Sequence, residues 1–80
     1  MDISFVGGGV MAEALLKGIV NAGLSNPGEL TVSDPLDERR LYLESEYGIN
    51  TVESNSSIVD RNGIVILAVK PQILPYVLSD

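Results

Sequence analysis

The opening of the chain constrains its fold more than any other part. Ile3 to Val6 is a short apolar, β-prone run that stops at Gly7-Gly8-Gly9, and from Val10 to Ala22 the apolar period becomes helical. A buried strand that feeds a tight glycine turn and then a helix is the start of a βαβ unit. Along the helix, Met11, Ala14, Leu15, Gly18, Ile19 and Ala22 recur at helical spacing and predict one inward stripe. Ala14 and Gly18 on that stripe predict close approach to a sheet, and Gly23 stands where a helix C-cap is expected.

The rest of the chain repeats the alternation. Ser25-Asn26-Pro27-Gly28 reads as a loop and Leu30 to Val32 as a second strand. Asp34-Pro35 opens a second helix, with Asp34 as N-cap, Pro35 at the first helical position, and Asp37 and Glu38 in the first turn. Leu36, Leu43 and Tyr47 are its expected inward face, and Gly48 ends it. Ile49 to Val52 is a short third strand, and Ser54 to Asp60 is at most a turn or two of helix, capped by Ser54 or Asn55. Ile64 to Val69 is a continuous apolar run of the kind that parallel strands buried on both faces carry. Pro71 can start a last helix that Pro75 shortens or kinks. The fold class expected is therefore α/β, a Rossmann-like open parallel sheet with element order βαβαβ(α)βα, strand order 3-2-1-4, and helices on both faces. With 80 residues there is room for one domain. The most hydrophobic strand falls at a sheet edge, so a following domain or a partner chain is expected to cover it.

Composition removes several classes of chemistry. The absence of cysteine and histidine excludes disulfide staples, the usual zinc sites, and Ser-His-Asp or Cys-His catalysis; no metal site is expected. Eleven acidic residues against five basic ones give a net charge of -6. The cations Lys17, Arg39, Arg40, Arg61 and Lys70 are scattered, which argues against a nucleic-acid partner. No run is long enough to cross a membrane and no basic n-region opens the chain, so a cytoplasmic protein is the expectation. An anionic small molecule stays open, because backbone N–H groups at a helix N-terminus bind phosphate without net positive charge.

Gly7-Gly8-Gly9-Val10-Met11-Ala12 fits G-x-G-x-x-G/A, and the pattern follows a strand and opens a helix. Gly7 is assigned to the tight turn, Gly9 to backbone approach of a pyrophosphate, and Ala12 to close helix–strand packing. A glycine-rich turn without a ligand is the plainer reading. No Gly-Lys-Ser/Thr follows, so a Walker loop is excluded. Asp34, at the end of the second strand, is placed to bind an adenosine ribose, and equally to cap the next helix. Ser33 could donate to a 2′-phosphate that Arg39 and Arg40 could reach, although a solvated helix face suits at least one of the arginines as well. These residues leave NADP and NAD unseparated. Lys70-Pro71-Gln72, after the fourth strand, falls at the switch point beside the first strand, where open α/β sheets bind ligands. A solvated lysine is the competing account. Asn55 reads first as a helix cap or turn residue.

Taken together, these blocks resemble the pyrroline-5-carboxylate reductase family. The resemblance rests on Phe5 to Gly9 with Met11 to Leu15, Lys17 and Gly18, on Val32-Ser33-Asp34-Pro35, on Tyr47-Gly48 followed by Asn55, and on Ile66 to Gln72. It implies NADPH- or NADH-dependent reduction of the cyclic imine 1-pyrroline-5-carboxylate to L-proline, with hydride passing from nicotinamide C4 to the C=N carbon. By motif, the family's cofactor contacts carry over to Val6, Gly7, Gly8, Gly9, Val10 and Met11, to Ser33 with Asp34, to Asn55, and to Ala68, Val69, Lys70 and Pro71. The family often has Asn where this chain has Val10, which removes a side-chain amide from the cofactor. The family's C-terminal helical domain, which supplies most of the imine site and the dimer interface, has no counterpart here. No catalytic residue is therefore assigned, and the chain alone is not expected to turn over imine. Residues 1–80 are expected to be the NAD(P)-binding part of a longer two-domain, homo-oligomeric enzyme. The alternatives are a reductase of the β-hydroxyacid dehydrogenase or F420-dependent type, against which Lys70-Pro71-Gln72 argues, a non-catalytic Rossmann-like binding or regulatory module, and, more weakly, a methyltransferase.

Overall fold

Strand β1 (Ile3–Val6) is fully buried and takes a central place in the sheet, with β2 (Leu30–Ser33) on one side and β4 (Ile64–Leu67) on the other. A computed structural model describes residues 2–59 and 63–68. Strand β3 (Asn50–Val52) pairs with β2, all pairings are parallel, and the order is β3-β2-β1-β4, as expected. The register aligns Val6 with Ser33 and Leu67, and Ser33 with Val52, so the strands end level. The expected final helix after Pro71 lies outside the described residues.

Pleat alternation sorts the two faces. Ile3, Phe5, Leu30, Val32 and Ile66 face helices α1 (Val10–Asn21) and α2 (Asp37–Tyr47), and pack with Ala12, Leu16, Leu43 and Ile49 as one core. The short helix α3 (Ser56–Val59) packs on β1 and β2, and its wholly buried Ile58 lies outside that core, on the opposite face. Helices thus cover both faces.

The inward stripe of α1 differs from the one its spacing predicts. Ala12 and Leu16 are fully buried and Ile19 and Val20 pack behind them, whereas Met11, Ala14, Leu15 and Gly18 are exposed. Two apolar stripes adjoin on this helix, and the glycine turn decides between them. It delivers the helix with Ala12 against the strand, which rotates Met11 outward. Gly18 therefore approaches nothing, and its Cβ position is open. The end of α1 is as expected: Leu24 N–H donates to the Ile19 carbonyl and Gly23 N–H to that of Val20, the paired bonds of a Schellman cap.

Helix α2 also begins differently. Leu36, not Asp34, holds the N-cap position, and Pro35 precedes the helix. The Asp34 carboxylate accepts the Leu36 N–H at 2.8 Å, an Asx turn that leads into the helix rather than capping it. Leu36 is consequently off the helical face and exposed, while Leu43 is fully buried and Tyr47 half-buried as expected. The loop after α1 holds a short 3₁₀ turn, Pro27–Glu29, closed by a capping box between Asn26 and Glu29. Strand β4 lies at the sheet edge as expected, but it is not buried on both faces: Ile64, Val65 and Leu67 are 40–48% exposed. Among the described residues no helix is long and apolar enough to cross a membrane.

Candidate functional site

The level strand ends bring most of the sequence-picked residues together. Gly7 N–H donates to the Ser33 carbonyl at 3.0 Å, Ala68 N–H to that of Val6 at 3.0 Å, and Asp34 N–H to that of Val52 at 3.0 Å. These bonds extend the sheet by one step and bind the glycine turn to the ends of β2 and β4. Gly7 has φ +98°, a conformation that side chains disfavour, so its assignment to the tight turn holds.

Of the two following glycines, Gly9 is open as its assigned role requires, and Gly8 carries a constraint that the motif does not mark. Gly8, the variable position of the pattern, is the crowded one. A Cβ there would lie 2.9 Å from Asp34 Oδ2 and 3.2 Å from Leu43 Cδ1 and Val32 Cγ1. Its N–H donates to Asp34 Oδ2 at 3.1 Å. Gly9 faces open space, with nothing within 4 Å of its Cβ position. It is the N-cap of α1, and no side chain caps the first-turn N–H groups there. Val10 and Met11, at 84% and 61% exposed, border it. An anionic group fits this cradle, and a side chain on Gly9 would fill it.

Asp34 is half-buried, with one carboxylate oxygen on Gly8 N–H and the other on Leu36 N–H. Ser33 is wholly buried, and its hydroxyl donates to Asn55 Oδ1 at 2.5 Å, so hydroxyl and amide meet beneath the strand ends. Asn55 precedes α3, its carbonyl accepting the Ile58 N–H, which suits the expected cap. Val69, Lys70 and Pro71 lie outside the described residues.

The arginines are not a solvated helix face. Arg39 donates to the Gly8 carbonyl through Nε and to Glu13 Oε1 at 2.7 Å through a terminal nitrogen, and lies 5.0 Å from the centre of the Tyr42 ring. Arg40 donates to the Asp34 carbonyl at 2.7 Å and pairs with Asp37. Glu13 also accepts the hydroxyls of Tyr42, at 2.7 Å, and Tyr47, whose rings meet edge to face. This clamp ties α1 to α2 below the glycine turn. Sequence reasoning missed it, although Glu13 stood in the resemblance block and Tyr47 was placed on the inward face of α2.

The clamp has a pH signature. Hydrogen bonds from Tyr47, Tyr42 and Arg39 hold the Glu13 carboxyl down from 4.5 to about 2, and the same contact raises both tyrosines. A carboxyl whose pKa is depressed on folding stabilises the fold fully above its unfolded value and loses that contribution as pH falls. The window here runs from 4.5 down to about 2. Glu13→Gln should therefore be less stable than the parent at about pH 6, with the gap narrowing below pH 4.5 and closing only as pH reaches about 2, by urea midpoint. Curves that stay parallel across that range would refute the clamp.

Residues 2–80 match the family model described as NADP oxidoreductase, coenzyme F420-dependent. A pyrroline-5-carboxylate reductase of Methanosarcina acetivorans is 40% identical over 78 residues, covering 98% of this chain and 29% of the relative. Among solved structures, a pyrroline-5-carboxylate reductase of Coxiella burnetii superposes with TM-score 0.84 at 28% identity, covering 95% of this chain and 28% of that one. A Plasmodium falciparum pyrroline carboxylate reductase with NADP bound gives 0.78 at 29% identity, over 98% of this chain and 27% of that one. The chain spans under a third of the length of these relatives. A model match over all but its first residue, joined to a parallel sheet whose glycine turn opens a helix, places the chain in the coenzyme F420-dependent NADP oxidoreductase family.

Proposed function

We propose that the chain binds NADPH or NADH as the cofactor domain of a pyrroline-5-carboxylate reductase, residues 1–80 being part of a longer two-domain enzyme. The observation that carries this reading is the open cradle at Gly9, beside uncapped first-turn N–H groups of α1. Backbone from Val6 to Met11 holds the pyrophosphate, Asp34 takes the adenosine ribose, and Ser33 with Asn55 forms the floor under it. Ala68, with Val69, Lys70 and Pro71 after it in sequence, borders the nicotinamide half at the switch point beside β1. The bound nicotinamide supplies a hydride, and the chain's own residues orient the dinucleotide.

The substrate is a small cyclic imine, held together with the second domain, and homo-oligomerisation through that domain goes with this reading. No nucleic-acid or membrane partner belongs to it, and the location is the cytoplasm. The family description supports a second reading, in which hydride passes between NADP and coenzyme F420.

The test is a titration of the chain with NADPH and NADH by nicotinamide fluorescence, with far-UV circular dichroism to verify folding. Saturable binding is expected. A folded chain that binds neither would refute the site. In a longer protein, imine reduction without dependence on F420 separates the first reading from the second.

A further inference from the structure

We propose that the end of β2 makes this dinucleotide site select NADH over NADPH, with Asp34 as the specificity-determining residue. The inference rests on the dinucleotide reading above and goes beyond it.

In folds of this kind, the group at the carboxyl end of the second strand meets the adenosine ribose. There a carboxylate accepts the 2′-hydroxyl of NAD, whereas NADP needs a cation for its 2′-phosphate. Here the carboxylate is fixed in place. Its two oxygens accept the N–H groups of Gly8, at 3.1 Å, and Leu36, at 2.8 Å, so it cannot swing away from the turn that would carry the pyrophosphate. Each oxygen keeps a further lone pair for a ribose hydroxyl. A 2′-phosphate brought to the same place meets a fixed negative charge.

Among the described residues, the two arginines of α2 that would offset that charge are already engaged. Arg39 is held by Glu13 and the Gly8 carbonyl, and its side chain is 25% exposed. Arg40 is held by Asp37 and the Asp34 carbonyl, at 17% exposed. Each guanidinium is matched by a carboxylate and bonded to a backbone oxygen, so neither brings unbalanced positive charge to the ribose. The Ser33 hydroxyl is wholly buried and donates to Asn55 Oδ1. One half-buried carboxylate, two neutralised cations and an inward hydroxyl suit a ribose diol and repel a phosphomonoester.

The experiment is isothermal titration calorimetry of the chain with NADH and NADPH, repeated with 5′-AMP and 2′,5′-ADP, which carry the same difference without nicotinamide. NADH is expected to bind about tenfold more tightly than NADPH or better, with 5′-AMP favoured over 2′,5′-ADP. Asp34→Ser should erase or reverse the preference by strengthening NADPH. Should that variant lose its far-UV spectrum, the two nucleotide pairs on the parent chain still decide the question. NADPH binding as tightly as NADH overturns the inference and leaves the dinucleotide site standing. A folded chain that binds none of the four overturns both.

Discussion

Gly8→Ala is expected to destabilise the fold by about 1–3 kcal/mol, whereas Gly9→Ala leaves stability nearly unchanged and weakens dinucleotide binding. The two residues are neighbours in one motif, and the difference comes from what each Cβ would meet. At Gly8 the contacts are Val32 and Leu43, both fully buried, and an Asp34 oxygen pinned by two backbone donors. None of the three has room to retreat, so the turn must lift away from β2. At Gly9 nothing stands within 4 Å, so the methyl group is accommodated in the folded chain and intrudes only when a ligand arrives. Urea unfolding and cofactor titration on both variants check this. Equal loss of stability from the two would mean that the space over Gly9 is not open.

Phe5→Ala should have the largest effect of any single change, about 3–5 kcal/mol. Phe5 is the one phenylalanine of the chain, wholly buried, on the central strand, between Val32 of β2 and Ile66 of β4 in register. Its ring joins both strand neighbours to the helices above. A domain this small has about 5 kcal/mol of stability or little more, so the variant should be largely unfolded at 25 °C. Loss of the cooperative thermal transition is the expected readout. A variant that melts sharply within a few degrees of the parent would show that the core lies elsewhere.

Much of the architecture was legible because strand and helix signals are local. The Ile3–Val6 run, the glycine turn and the Gly23 and Gly48 stops all act within a few residues, and each element among the described residues appears close to its expected place. Rotational phase was less legible. Met11 and Leu15 are as apolar as Leu16 and Ile19, and only the geometry of the preceding turn chooses which stripe faces the sheet. Asp34 illustrates the same limit at the site. Its type and its place before Pro35 suit an N-cap, but the nearness of Gly8, in another element, turns one of its oxygens back to the glycine loop. The Glu13 clamp joins residues from α1 and α2 that carry no shared period, so no pattern along the chain marks it.

The position of β1 also sets the order in which the molecule can be made. Of the four described strands, the one that comes first in the sequence lies in the interior of the sheet, and one of its two neighbours, β4, comes last, with Ile3 opposite Ile64. A nascent chain emerging from a ribosome can dock β2, α1 and α2 on β1 early, but one flank of Phe5 stays wet until Ile66 arrives. Between the synthesis of β2 and that of β4, the central strand stays half paired. Chaperone contact, or a pause in translation before β4, would act on that interval rather than on the finished fold.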